Sequence, residues 1–261
     1  FLVTVIGFIL YASLVLLPIY LQTLLGYPAF TAGLALSPRG LGSLCVMPLV
    51  GYLTSKIDPR KIIGFGFIIG ALTMFELSRL NLSAGYWDIF WPQVLQGVAL
   101  SSLFIPLMAV SMARMPKEKM GNATSIFNLM RNIGGSFGIA VMTTFLTRRN
   151  QFHYVRLGES MTRWDLATQQ TLAGMTSWFR SQGADAYTAG KQAMAAMHGM
   201  LIRQASMLSF VEAFWLMAVM FLGMLPFLII LRRPDHQLER KANRRKVPAT
   251  RRKSLPELVA H

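Results

Sequence analysis

Two arginines stand at places in the sequence where a positive charge is costly. Arg39 lies in the mostly apolar run 34–40, and Arg131 lies in the run 128–135. If these runs cross a membrane, each charge costs at least about 2.5 kcal/mol unless it faces a bundle interior or water. Because ionisable groups inside a membrane are usually functional, both arginines are candidates for a substrate or proton pathway. The alternative is a structural arginine that ties helices together through backbone carbonyls.

The surroundings of Arg131 are polar on one side of a helix. Asn128, Arg131, Asn132 and Gly135 follow each other at helical spacing, so they share one face. Two amides and a guanidinium on one stripe favour binding of an anionic group, or orientation of a carboxylate elsewhere in the protein. A hydrogen-bonded seam between helices is an equally good interpretation. Gly134 and Gly138 add a spacing that is typical of close helix packing.

Other polar residues in apolar runs complete the set of pathway candidates. Gln22, Gln93 and Gln96 suit a cavity lining, and they suit hydrogen bonds between helices equally well. Glu212 has no obvious local partner, so it is a candidate for proton exchange. Glu76 has Arg79 three residues later, which predicts an ion pair between them.

Several chemistries are disfavoured by the sequence. A phosphate-binding loop of the P-loop type is not found, so ATP-driven transport by this chain is not expected. The four histidines lie outside the apolar runs without zinc spacing, so we expect no metal, no cofactor and no enzymatic activity. Cys45 is the single cysteine and has no partner for a disulfide within the chain. It is expected to be a small core residue.

The elements that position these residues are long apolar helices. Of the 261 residues, 53% are hydrophobic and only 14% are charged, whereas a soluble domain has about a quarter charged. A helix needs about 20 residues to cross the hydrocarbon layer. Six runs reach about that length, which predicts an all-α membrane protein with six transmembrane helices. The runs are residues 1–24, 31–53, 62–80, 89–112, 121–146 and 207–231.

The charged residues predict an orientation and a domain organisation. Ten of the 26 lysines and arginines lie between Arg232 and Lys253, which indicates that this end is cytoplasmic and attracts anionic lipid. The net charge of +15 therefore does not indicate nucleic-acid binding. We expect five transmembrane helices in residues 1–146, a long outer segment in 147–204 and the last transmembrane helix in 205–233. Residues 234–261 form a basic tail that is predicted to be disordered.

The turn after the second apolar run has a recognisable pattern. Residues 51–61 read GYLTSKIDPRK and resemble motif A of the major facilitator superfamily, with Gly51, Asp58, Arg60 and Lys61 at matching positions. Asp58 is placed to cap the following helix, while Arg60 and Lys61 stay on the positive side. Ser55 departs from the motif, which often has Asp there.

Four further strings narrow the resemblance. The first is LP at 17–18, followed by LQ at 21–22 and GY at 26–27, and the second is residues 32–40. The third is WPQ at 91–93, followed by QG at 96–97, and the fourth is residues 128–138. In this order they resemble the C-terminal half of the EmrB/QacA drug-efflux transporters, which have fourteen spans. The resemblance implies the C-terminal half-bundle of a major facilitator transporter. It also implies export of hydrophobic or cationic drugs in exchange for protons, and a periplasmic adaptor protein in some relatives.

The same resemblance implies that this chain is an N-terminally truncated fragment in the inner (plasma) membrane. The chain begins at Phe1 inside an apolar run, and the missing N-terminal half-bundle would carry the acidic residue of the first helix. A half-bundle lacks the opposing wall of a substrate site, so we expect it to be inactive alone. Two alternatives remain open: a dedicated exporter of a metabolite or siderophore, and a membrane scaffold that does not transport.

Overall fold

The computed structural model describes residues 2–112, 116, 119–160 and 166–229, and these residues are almost entirely helical. The basic tail predicted for residues 234–261 lies outside the described residues. The described residues form seven α-helices and the 3-10 helix Pro226–Ile229, and they contain no strand. The α-helices are α1 (Leu2–Thr23), α2 (Ala29–Lys56), α3 (Pro59–Leu77), α4 (Tyr86–Met112), α5 (Met120–Ser160), α6 (Leu166–Ser181) and α7 (Ala186–Gly223).

The bundle is organised around two closely packed helix pairs, α2 with α4 and α1 with α5, while α3 packs on α4 and α7. The core between them is apolar, and α1 contributes a large share of its fully buried side chains. Tyr20 of α1 lies edge-on to Phe210 of α7 at 5.5 Å between ring centroids. Its hydroxyl donates to the carbonyl of Asn81 at 3.0 Å, which fixes α1 against the connection between α3 and α4.

Glycines bring both helix pairs into backbone contact. A Cβ atom at Gly97 of α4 would overlap the carbonyl oxygen of Arg39, and one at Gly7 of α1 would overlap that of Arg131. Gly134 and Gly138 of α5 meet α1 in the same way, so the spacing of these two glycines does mark a packing face. Only glycine allows helix backbones to approach this closely. Each arginine is therefore anchored at a point where two helix backbones touch.

Two aspartates begin helices. Asp58 is the N-cap of α3 and accepts a hydrogen bond from the backbone N–H of Arg60 at 3.1 Å, as predicted for the motif A-like turn. Asp185 caps α7 and accepts from the backbone N–H groups of Tyr187 and Thr188 at 3.1 and 3.2 Å. Hydrogen bonds from Thr188 are the main reason that the pKa of Asp185 is lowered from its usual value.

The outer segment predicted for residues 147–204 contains parts of three helices. α5 continues to Ser160, and α7 already begins at Ala186, well before the apolar run 207–231. Between them α6 packs on α7 and has no fully buried residue. Helix continues past the apolar runs because residues 147–160 and 187–206 contain no proline and helix formation needs no apolarity.

Four stretches are long and apolar enough to cross a membrane, by length and composition: Val3–Thr23, Ala29–Lys56, Tyr86–Met112 and Ala186–Leu228. The described residues therefore do not establish the six crossings expected from the sequence. α3 carries Arg60, Lys61 and Glu76 within 19 residues, and polar side chains around Arg131 lower the hydropathy of α5. One prediction about α2 was wrong: Cys45 is exposed rather than part of the core.

Candidate functional site

Arg39 is held by two glutamines from the neighbouring helix. Its Nε donates to Oε1 of Gln93 at 3.1 Å, and its Nη2 donates to Oε1 of Gln96. Gln93 is 0% and Gln96 is 1% exposed, so these carbonyl oxygens have no access to water. Because a buried acceptor without a partner is costly, the guanidinium and the two amides stabilise one another.

The network around Arg39 reaches a third helix. The amide of Gln96 donates to the hydroxyl of Ser13 on α1 at 3.0 Å, and Ser13 in turn donates to the carbonyl of Leu10 at 2.8 Å. One helical turn below Arg39, the hydroxyls of Ser43 and Ser101 lie 2.8 Å apart. The α2–α4 crossing therefore contains two separate sets of polar contacts, and the one around Arg39 also fixes α1.

Arg131 has a different environment. Its guanidinium carbon lies 5.6 Å from the centroid of the Phe104 ring, which is a cation–π contact. Its Nε is buried and has no hydrogen-bond partner among the described residues. A guanidinium with an unsatisfied buried donor has capacity to bind an acceptor that the described residues do not provide.

The amides beside Arg131 do not bind it. Asn132 is exposed and accepts a hydrogen bond from the hydroxyl of Tyr11 at 3.2 Å, which links α5 to α1. Asn128 is half-buried, and no hydrogen bond of its side chain is recorded within the described part of the chain. The stripe predicted from the sequence is present, but only Asn132 takes part in a seam between helices.

Both arginines line one cavity, which we call the central cavity. Its volume is about 250 Å³. Side chains from α1, α2, α4 and α5 form its walls: Leu10, Tyr11, Leu14, Arg39, Gln96, Leu100, Phe104 and Arg131. Two guanidinium groups thus face a space whose other walls are largely apolar, and none of these lining residues carries a carboxylate. Such a space suits an amphipathic small molecule with a hydrogen-bond acceptor.

Two larger cavities lie elsewhere. One of about 610 Å³ lies at the connection between α3 and α4, and its lining includes Trp87 and Trp91 of α4. The other, of about 430 Å³, lies between α1, α5 and α7. Neither contains Arg39 or Arg131. In the part of the chain that the structure describes, no group of three or more histidine, cysteine or carboxylate side chains could hold a metal ion.

Of the eight predicted pathway residues, Arg39, Arg131 and Gln96 line the central cavity and the other five do not. Gln22 is exposed near the end of α1. Glu212 has no partner nearby in the sequence, as noted above, but Arg149 of α5 forms a two-pronged ion pair with it, with Nη2 donating to Oε1 at 2.6 Å. Nε2 of His153 lies 3.1 Å from the same oxygen. Arg149 is 63 residues from Glu212, so sequence spacing gave no sign of the pair.

The prediction of an ion pair between Glu76 and Arg79 is wrong. The guanidinium carbon of Arg79 instead lies 4.6 Å from the centroid of the Phe75 ring. Within the motif A-like turn, Gly51 is exposed with open space around it, and Lys61 is exposed. Nε of Arg60 is buried and has no hydrogen-bond partner in the described part of the chain. The turn therefore positions Asp58 to cap α3, while Nε of Arg60 binds no acceptor among the described residues.

The hydroxyl groups that take part in the site's hydrogen bonds were not predicted from the sequence. Ser13, Tyr11 and Ser101 connect the polar seams, yet each is a single hydroxyl within an apolar run. Such residues commonly bond to their own helix, so their type alone does not distinguish a network member. The available signal was position: Ser43 lies one turn from Arg39, and Ser101 lies beside the Gln93–Gln96 pair.

Comparison with known proteins gives consistent matches. The family model described as Major Facilitator Superfamily matches residues 1–139. Multidrug export protein EmrB of Haemophilus influenzae is 32% identical over 224 residues, which are 85% of this chain and 42% of that protein. Fatty acid resistance protein FarB of Neisseria gonorrhoeae is 28% identical over 234 residues, covering 89% of this chain and 45% of the relative. The chain therefore spans less than half the length of these curated relatives.

A solved structure has the same fold. A bacterial homologue of the human lysosomal transporter Spinster, in an inward-facing and occupied conformation, aligns with a TM-score of 0.60 at 16% identity. The alignment covers 88% of this chain and 47% of that protein. At this identity the likeness concerns the fold alone, and it is the fold of one half of a transporter.

Proposed function

The chain belongs to the Major Facilitator Superfamily, and on that premise we propose that it forms one half of an exporter for hydrophobic small molecules. The family and the fold are those of membrane transporters rather than enzymes. The observation that carries the proposal is the central cavity, in which arginines from two separate helix pairs meet among apolar side chains. Two relatives are named for multidrug export and for fatty acid resistance, and both names concern small molecules.

The proposed arrangement has six membrane crossings and a complementary half. α3 and α5 complete the six, because each packs between helices that are apolar enough to span. α2 is the least buried of the four candidate spans, with 22% of its most apolar window buried. Gly33 and Gly40 on α2 have open space around them, so a second helix could pack closely there. We assign this face to the other half-bundle of the transporter.

We also propose how transport is driven, in which membrane the protein lies and what it contacts there. Export is driven by proton exchange through alternating access, with the protein in the inner membrane and its C-terminus in the cytoplasm. The segment 147–204 projects on the outer side, where an adaptor protein can dock, and the basic tail contacts anionic lipid. Residues Arg39, Arg131, Asn128, Gln93 and Gln96 belong to the substrate pathway, and the turn with Gly51, Asp58, Arg60 and Lys61 takes part in gating.

A dedicated exporter is the second candidate, and Arg131 favours it. Its unsatisfied donor and the absence of carboxylates among the residues of the central cavity suit a substrate with an acidic group better than a cation. A scaffold that does not transport is less well supported. A scaffold needs no unsatisfied buried donor, and Arg131 has one while Arg39 does not.

The test is the substitution Arg131→Gln in the natural gene, expressed in a host that lacks its own efflux pumps. We expect efflux of an acidic hydrophobic dye to fall at least about tenfold, because one charge-assisted hydrogen bond is lost. Arg156→Gln on the same helix is the matched control and should leave efflux unchanged, since Arg156 lies outside the central cavity.

Membrane abundance of the variants must be equal for the comparison to count. Normal efflux by the Arg131 variant would refute the pathway assignment. If the wild-type protein exports cationic dyes but not the acidic dye, the hypothesis of a dedicated exporter of acids is refuted. The hypothesis of a multidrug exporter would then be retained.

A further inference from the structure

A second polar cavity, which we call the outer cleft, lies between the end of α1 and the helices α5 and α7. Its volume is about 430 Å³, and it does not share a residue with the central cavity. Arg203, Asn150 and Ser206 supply polar groups, while Ile19, Leu146 and Phe210 supply apolar walls. The outer cleft therefore combines hydrogen-bond donors with an apolar surface in one opening.

The donors of the outer cleft are positioned and largely unused. Nη2 of Arg203 donates to the carbonyl of Leu24 at 3.0 Å, which fixes the guanidinium across the end of α1 and leaves its other N–H groups available. For Asn150 and Ser206, the structure records no side-chain hydrogen bond within the described residues. A guanidinium, an amide and a hydroxyl directed at one space are the groups that bind phosphate oxygens.

The charge of the outer cleft is uncompensated. None of the described residues that line it is acidic. The acid nearest in sequence is Glu212, three residues from the lining residue Ser209, and Arg149 already binds its carboxylate. The cleft thus carries the charge of Arg203 without a counter-ion, which favours a ligand with net negative charge.

The position along the helices matches the level of lipid head groups. Thr23 is the last residue of α1, and Arg203 comes four residues before the apolar run that begins at Met207. Ile202 lies beside Arg203, lines the cleft and is 42% exposed, so an acyl chain can continue along an apolar surface. Basic pockets between spanning helices are known to bind anionic lipid head groups.

We propose that the outer cleft binds the phosphate head group of an anionic phospholipid, with Arg203 contacting the phosphate and Asn150 and Ser206 completing its hydrogen bonds. The lipid is anionic rather than zwitterionic because the lining offers no carboxylate for an ammonium group. A bound lipid at this place joins the end of α1 to interior parts of α5 and α7. The assignment is independent of the proposed function, since it concerns none of the residues of the central cavity.

The test is a lipid titration of the purified 261-residue chain followed by native mass spectrometry. We expect the first phosphatidylglycerol to bind about tenfold more tightly than phosphatidylcholine of the same acyl chains. Arg203→Gln keeps a donor for the carbonyl of Leu24 but removes the charge, and it should abolish this preference. Arg180→Gln removes the same charge from α6, outside the cleft, and should keep the preference.

Ser206→Ala is a milder variant that leaves the contact of Arg203 with Leu24 intact, and it should weaken phosphatidylglycerol binding about threefold. An equal preference in the wild type and the Arg203 variant would overturn the assignment, since the lipid would then bind elsewhere, for example at the basic tail. Displacement of the lipid by excess inorganic phosphate would also overturn it, because the cleft would then be a site for free phosphate.

Discussion

The α2–α4 crossing and the α1–α5 crossing are built on the same plan but leave their arginines in different states. In both, a glycine of the partner helix contacts the backbone carbonyl of the arginine: Gly97 for Arg39 and Gly7 for Arg131. Both guanidinium groups line the central cavity. Yet Arg39 is bound to Gln93 and Gln96, whereas Nε of Arg131 is buried without a partner.

The hydrogen bonding of the two guanidinium groups distinguishes two proposed roles, which the sequence alone could not distinguish. A guanidinium whose donors are occupied by the protein shapes a cavity and holds helices in place. A guanidinium with an unsatisfied buried donor has free-energy capacity left for a ligand or for a group of another half-bundle. We therefore propose that similar backbone geometry holds a positioning residue in one crossing and a binding residue in the other.

The largest expected effect concerns the glycines that both crossings share. Gly97→Ala and Gly7→Ala should each lower the free energy of unfolding by about 3 kcal/mol, because the new methyl group overlaps a backbone oxygen and the helices must separate. Gly33→Ala is the control, since no atom lies within 4 Å of its Cβ position. Thermal unfolding in detergent measures all three. A small effect at only one of the two crossings would show that they are not equivalent.

A smaller effect distinguishes the arginines themselves. Arg39→Leu should cost about 2 kcal/mol of stability, because the side-chain carbonyls of Gln93 and Gln96 lose their charged donor while buried. Arg131→Leu should change stability by less than about 1 kcal/mol, since it removes a donor that has no partner. Chemical unfolding of both variants gives the comparison. Greater destabilisation by the Arg131 variant would reverse the assignment of roles.

The smallest effect compares the hydroxyl groups of the two crossings. Ser101 is 4% exposed and bonded to the hydroxyl and the carbonyl of Ser43, so Ser101→Ala should cost about 1 kcal/mol. Tyr11→Phe removes a longer hydrogen bond, to an exposed asparagine, and should cost less than about 0.5 kcal/mol. The same unfolding assay resolves the order. Equal losses would mean that water does not reach Asn132 as its exposure indicates.

Sequence patterns predicted a helical fold with helices apolar enough to cross a membrane, because apolar runs depend on local composition. The cap by Asp58 is confirmed for the same reason, since capping is decided within three residues. Partners across helices were not predictable. Gln96 is 57 residues from Arg39 and Arg149 is 63 residues from Glu212, and only packing determines which helix faces meet. The continuation of α5 to Ser160 was missed because the apolar run ends near Leu146 while the helix does not.

The length of α5 has a mechanical consequence. Its 41 residues extend over about 61 Å, roughly twice the thickness of the hydrocarbon layer. With α5 crossing the membrane as we propose, a tilt of about 10° at its membrane-spanning part moves a point about 25 Å further along the helix by about 4 Å. The ion pair between Arg149 and Glu212 couples α7 to the same movement. Small rocking motions in the bilayer would therefore be amplified at the far end of the protein.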